Sequence, residues 1–159
     1  MKRKIKKGNH YSTIIPHFTC KKSISGTVEF VGNFVYELSA EKQSDTNKVI
    51  GLSDNWHHHI DSIRIGFRFN KKLLKRQAMA ICYVNGFRTI CFLGEFLENK
   101  AYRFEIRISK TYYQIWFNGR HAIFDRTSKW FGPRIILQPY FGGTEVAPQD
   151  FRFEFKLDK

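Results

Sequence analysis

The stretch Ser62-Ile63-Arg64-Ile65-Gly66-Phe67-Arg68-Phe69 alternates with period two. Ile63, Ile65, Phe67 and Phe69 fall on one face, Arg64, Gly66 and Arg68 on the other. Tyr102 to Ile108 and Phe151 to Lys156 repeat the pattern, the second as Phe-Arg-Phe-Glu-Phe-Lys with its phenylalanines facing a core. Lys48 to Ser53 and Ile135 to Leu137 are short apolar runs that read as buried strands. Ser23 to Phe30 and Asn33 to Leu38 are strand candidates joined by a turn at Val31-Gly32, and Ser12 to Ile15 reads as an edge strand cut by Pro16. Glu41 to Asn47 and Asp54 to Asp61 are polar loops, and Asn70 to Lys75 is a basic loop or a single helical turn. No segment keeps a helical period and no internal repeat is visible. About ten to twelve short strands with regular turn signals predict an all-β fold, an antiparallel two-sheet β-sandwich.

Two Asn-Gly pairs between apolar arms mark hairpins. Around Asn85-Gly86 the arms are Met79 to Val84 and Phe87 to Leu93, apolar on both faces and so expected centrally in a sheet. This register sets Cys82 against Thr89 and Cys91 against Ala80, leaving the sulfurs diagonal, so a relaxed disulfide is not expected. With Cys20 the cysteines are odd in number, and free thiols are expected throughout. Around Asn118-Gly119, Tyr113, Ile115 and Phe117 share a core side with Phe124, Ala122 and Arg120. The opposite side carries Tyr112, Gln114 and Trp116 with Asp125, Ile123 and His121, a flat ring among planar polar groups. Such a surface suits a sugar, whose C–H face stacks on the ring while its hydroxyls take hydrogen bonds.

Composition adds a sign to this picture. There are 27 Lys and Arg against 14 Asp and Glu, a formal charge of +13. Such a balance favours acidic partners: nucleic acid, anionic lipid or acidic polysaccharide. Five of the basic residues, Lys2, Arg3, Lys4, Lys6 and Lys7, sit at the start, and without them the excess falls to about +8, scattered over strands. Nucleic acid is therefore the weaker expectation. Residues 1–10 are expected to be a basic disordered tail and 11–159 a single β-sandwich domain. No apolar stretch approaches the ~20 residues of a membrane span. The basic start is like the first part of a signal peptide, but no apolar segment follows it.

Three of the four prolines lie between Pro133 and Pro148, around Gln138-Pro139-Tyr140-Phe141-Gly142-Gly143 and Ala147-Pro148-Gln149-Asp150. Pro fixes φ and Gly tolerates unusual φ, so this is a shaped corner ahead of the last strand. A Tyr-Phe-Gly-Gly corner followed by Ala-Pro-x-Asp, together with an Arg64-x-Gly66-Phe67-Arg68 strand entered from a polar loop, resembles bacterial domains of the concanavalin A-like lectin/glucanase superfamily. The resemblance implies a jelly roll with carbohydrate lying across a concave sheet face, and an extracytoplasmic location. Members include lectins, glycan-binding modules, glycoside hydrolases and polysaccharide lyases.

The enzymatic branches leave little trace. Glucanases resemble a Glu-x-Asp-x-Glu strand, which sets two carboxyls on one face. Here Glu95 and Glu98 come closest, and a spacing of three points them apart. Alginate lyases resemble a Gln-x-His strand and a Tyr-Phe-Lys-Ala-Gly strand; Tyr140-Phe141-Gly142-Gly143 keeps the first two residues of the latter and no Gln-x-His occurs. A lyase base and charge neutraliser can be assembled from His121, Tyr112, Tyr83 and Arg88 only by choosing residues to suit. In the polar loop, Asp54, His57, His59 and Asp61 are candidates for zinc or a similar metal, and Asp54, Asn55 and Asp61 for calcium. Successive residues point alternately, so His57-His58-His59 cannot all ligate one ion without a special turn.

The expectation is a carbohydrate-binding, lectin-like domain, with a lyase or hydrolase on the same fold as the alternative. Trp116, His121, Gln114 and Tyr112 form its sugar surface, joined by Arg64, Arg68, Tyr83 and Arg88 if their strands enter the same sheet. The arginines favour uronic or sulfated units, because guanidinium matches carboxylate or sulfate bidentately.

Overall fold

A computed structural model describes residues 1–13 and 15–158. Twelve strands form two six-stranded antiparallel sheets, and no helix occurs among the described residues. The first sheet runs β1 (Lys2–Ile5), β12 (Phe151–Leu157), β3 (Ser23–Val31), β8 (Ala101–Ile108), β9 (Tyr112–Phe117), β10 (Arg120–Asp125). The second runs β2 (His17–Thr19), β11 (Arg134–Leu137), β4 (Asn47–Ser53), β5 (Ser62–Asn70), β6 (Lys75–Val84), β7 (Phe87–Glu95). The protein is an antiparallel two-sheet β-sandwich.

The inner faces meet in a phenylalanine core. Phe151, Phe153 and Phe155 point inward from β12, and Ile63, Ile65, Phe67 and Phe69 from β5. Phe34 lies 5.3 Å from both Phe67 and Phe151, bridging the two layers. Edge-to-face and tilted packing of this kind adds to the area the rings bury.

Both Asn-Gly hairpins take the expected register, with positive φ at Asn85, Gly86, Asn118 and Gly119, as a type I′ turn demands. Cys82 faces Thr89, Cys91 faces Ala80, and all three thiols are free.

Other expectations are corrected. Lys2–Ile5 is not a disordered tail: it pairs with β12, Ile5 is buried, and Lys2 and Lys4 meet Glu154 at 2.9 Å and Asp150 at 2.6 Å. The early edge strand comes after Pro16, at His17–Thr19, not over Ser12 to Ile15, where Ile14 lies outside the described residues. Asn33 to Leu38 buries Phe34 and Tyr36 as its alternation suggests, yet joins no sheet. Side chains take its backbone N–H groups instead: Glu98 accepts from Phe34, Asn33 from Val35 and Gln43 from Leu38. Of the first hairpin only β6 is central; β7 is the sheet's edge.

Candidate functional site

The outward face of the second sheet gathers Lys48, Arg64 and Arg88. Cross-strand partners share a face, and the register sets Gly51 opposite Arg64, Arg64 opposite Ile81, and Ser62 opposite Tyr83, which in turn faces Arg88. A bulge in β4 between Lys48 and Ile50 reverses the alternation, so Val49 goes into the core and Lys48 comes out opposite Gly66. The two glycines make room. A Cβ on Gly51 would sit 2.8 Å from Cβ and Cγ of Arg64, and one on Gly66 would sit 2.6 Å from Cδ1 of Ile81.

Arg64 is nearly inaccessible. One of its nitrogens donates to the His58 carbonyl at 2.8 Å, and its guanidinium carbon lies 5.6 Å from the Tyr83 ring centroid. Burial pulls its pKa down to about 10. Lys48 is pulled down to about 8, first by burial and then by the like charges of Arg64 and Arg88, which outweigh the opposing pull of Asp45. His58 falls to about 4 through burial and the neighbouring Arg64, so it is neutral at pH 7. His59 is lowered by the same two causes, and its ring stands edge-on to Tyr83 at 5.4 Å.

The ion pairs among the described residues involve none of Lys48, Arg64 or Arg88. These groups line a cleft of about 610 Å³, and no described residue lining it is acidic. Three cations face one space and none of them is in an ion pair among the described residues.

The proline-glycine corner supplies another wall. Lys48 and Tyr140 form an antiparallel bridge, each backbone N–H donating to the other's carbonyl, at 2.8 and 3.1 Å. The Lys48 ammonium lies 5.1 Å from the Tyr140 ring centroid, and that ring stacks on His10 at 5.5 Å and meets Tyr11 edge-on at 4.9 Å. Burial and the nearby Tyr11 raise the Tyr140 pKa. A Cβ on Gly142 would collide with the Lys48 ammonium. The side chain of Lys48, from β4, fills the space beside Gly142.

The loop between β4 and β5 begins at Asp54, which is fully buried. Its carboxylate takes hydrogen bonds from Arg126 Nε at 2.5 Å, Arg134 Nη2 at 3.0 Å and Tyr113 Oη at 2.9 Å. Asp61 is occupied with the Asn55 side chain and the Asn85 N–H. Among the described residues no group of three His, Cys, Asp or Glu is placed to hold a metal ion, and the work of Asp54 and Asp61 is to shape the loop that carries His58 and His59.

The eight sugar-site residues expected from sequence do not form one surface. Arg64, Tyr83 and Arg88 meet in the cleft. Arg68, on the same sheet face, bonds Gln77 at 2.8 Å and lines a separate cleft with Glu37 and Lys71. Tyr112, Gln114, Trp116 and His121 lie on β9 and β10 of the other sheet, on its outer face. There Trp116 is half-buried, faces Glu105 across the strands and lies 5.5 Å from the Arg107 guanidinium carbon. Lys48, His58 and Tyr140 were not expected in a site. The bulge hid Lys48, and only the corner's resemblance pointed toward Tyr140.

No family model and no curated protein matches the chain. Solved structures do. An alginate lyase from Klebsiella pneumoniae superposes with a TM-score of 0.62 at 11% identity, over 86% of this chain and 58% of that one. The fold is shared with alginate lyases. A second such enzyme, AlyC3 in complex with dimannuronate, gives 0.64 at 12% identity over 99% of this chain and 72% of its own. A functionally unknown protein from Saccharomyces cerevisiae gives 0.57 at 10% identity, over 99% and 87%. This chain spans little more than half the length of the Klebsiella enzyme, and likeness at such identities is a likeness of fold.

Proposed function

We propose that the protein binds an acidic polysaccharide, with a carboxylate or sulfate seated among Lys48, Arg64 and Arg88. The observation that carries this reading is three cations converging on one outward-facing cleft that no carboxylate among the described residues lines. Holding like charges together is unfavourable, and an anion relieves the repulsion. The surrounding Tyr83, Tyr140 and His59 offer hydroxyl and imidazole partners for sugar hydroxyls. Structural kinship with two alginate lyases, one solved with dimannuronate, supports a uronic acid as the charged unit. Isothermal titration with oligomannuronate, a neutral oligosaccharide of equal length and a DNA duplex tests it. Selective binding of the uronate is expected; equal binding of neutral sugar, or a preference for the duplex, overturns it.

A second reading is favoured by Lys48 itself, whose pKa near 8 leaves part of it as free amine at neutral pH, beside a phenol. In β-elimination from a 4-linked uronate, a base takes the proton on C5, that electron pair forms the C4–C5 double bond, and the C4–O4 bond breaks. Arg64 and Arg88 hold the carboxylate and spread the developing charge, Lys48 takes the proton, and the Tyr140 hydroxyl protonates the leaving oxygen. Unsaturated, ultraviolet-absorbing product from oligomannuronate is the expected sign. Hydrolysis by a carboxyl pair has no residues in this cleft to perform it.

A further inference from the structure

Beside the cleft, three aromatic side chains gather at the surface, two of them exposed and Trp130 half-buried. Phe18 of β2 packs edge-on against Trp56 at 5.5 Å, and Trp56 against Trp130 at 6.2 Å. Large aromatics usually find cover, yet Phe18 is 56% and Trp56 49% exposed.

Trp130 is held in place. Its Nε1 donates to the Pro133 carbonyl at 3.0 Å, its carbonyl accepts from Arg126 at 2.8 Å, and its ring lies so close over Gly132 that a Cβ there would be 2.6 Å away. Arg126 is in turn clamped by Asp54. Trp56 stands two residues beyond Asp54 on the same loop. The rings are therefore mounted on a buried ion-pair anchor.

This cluster continues the cleft. Ile135 lines the cleft, and Phe18 is its cross-strand partner, so the two share a sheet face with Cα atoms about 5 Å apart. The loop that brings Trp56 to the cluster brings His58 and His59 to the cleft.

We infer that Phe18, Trp56 and Trp130 form a stacking platform for a further sugar of the polysaccharide whose charged unit sits in the cleft. The inference rests on the reading of the cleft as a polyanion site, and its occupant is the C–H face of a pyranose, which carries no charge to be matched. The cleft would thus select acidity while the platform selects chain length.

The test is titration of wild type, Phe18→Ala and Trp56→Ala with oligomannuronates of two and of six units, following Trp fluorescence as well as heat. Wild type is expected to bind the hexamer more tightly than the dimer. Each variant should weaken hexamer binding by about tenfold and leave dimer binding unchanged. If wild type binds both lengths equally, or the variants bind the hexamer as wild type does, the platform is wrong while the cleft reading stands. If wild type binds neither, both fall. A variant that loses dimer and hexamer together also overturns the platform, and thermal melting shows whether its fold is intact.

Discussion

Lys48 and Tyr140 hold each other by backbone and by side chain: two hydrogen bonds of 2.8 and 3.1 Å tie their main chains, and the ammonium lies 5.1 Å from the ring centroid. The bridge fixes the corner 138–143 against β4 and puts Lys48 in the wall of a cleft already holding Arg64 and Arg88. Because the ammonium is buried and also crowded by like charge, its proton is loosely held.

A pH dependence follows. An anion in the cleft stabilises the charged form of Lys48, so binding is strongest below its free pKa of about 8 and weakens as pH rises through that value. Lys48→Arg, charged throughout, should bind oligomannuronate with an affinity flat from pH 7 to about pH 9. In the ligand-free protein the sign reverses. The unfolded chain binds the Lys48 proton more tightly than the folded one, so this residue's destabilising contribution is full below pH 8 and fades between about 8 and the ordinary lysine value of 10.5. Titration calorimetry across this range and melting curves without ligand check both halves.

Gly142→Ala should damage the site and spare the fold. The added methyl meets only the far end of a flexible side chain, the Lys48 ammonium, which can swing away. Losing one charge-assisted contact weakens anion binding about tenfold. The melting temperature should stay within a few degrees of wild type; a large drop would show that backbone, not the ammonium, occupies that space.

How far the sequence shows all this depends on what carries the signal. Period-two alternation and Asn-Gly pairs are local, so β5, β8, β12 and both hairpins with their registers were readable, as was the free state of the cysteines. Phe34 and Tyr36 were readable as buried but not as non-strand, because the partners that satisfy their segment, Glu98 and Gln43, are not marked by any periodicity. The site failed at two other points. Which sheet a hairpin joins is not a local property, so Arg64 could be set beside Trp116 only on the condition that their strands share a sheet, and the fold puts them in different sheets. A single bulged residue in β4 turned Lys48 outward, and no alternation pattern shows a bulge. The Arg64, Tyr83 and Arg88 part of the cleft was legible because β5, β6 and β7 pair in simple succession.

Asp54→Asn should be among the most destabilising polar changes available. It removes the anion shared by Arg126 and Arg134, whose side chains are 8% and 2% exposed, and strands two buried cations. Breaking a buried pair in this way costs ~3–5 kcal/mol. Chemical denaturation checks it; a loss under about 1 kcal/mol would mean that water reaches the network.

Phe153→Ala tests the core in the same experiment. The ring is fully buried between the sheets, 5.5 Å from Phe34 and 5.8 Å from Phe67, and its removal should cost ~3–5 kcal/mol.

The central claim is that the cations of the second sheet, and not the aromatic face of the first, hold an acidic sugar. Isothermal titration of oligomannuronate into wild type, Arg88→Ala and Trp116→Ala tests it most directly, because Arg88 is exposed and its loss leaves the core untouched. The account predicts binding by wild type, at least tenfold weaker binding by Arg88→Ala, and wild-type affinity for Trp116→Ala. Unchanged affinity in Arg88→Ala with binding abolished in Trp116→Ala would contradict it.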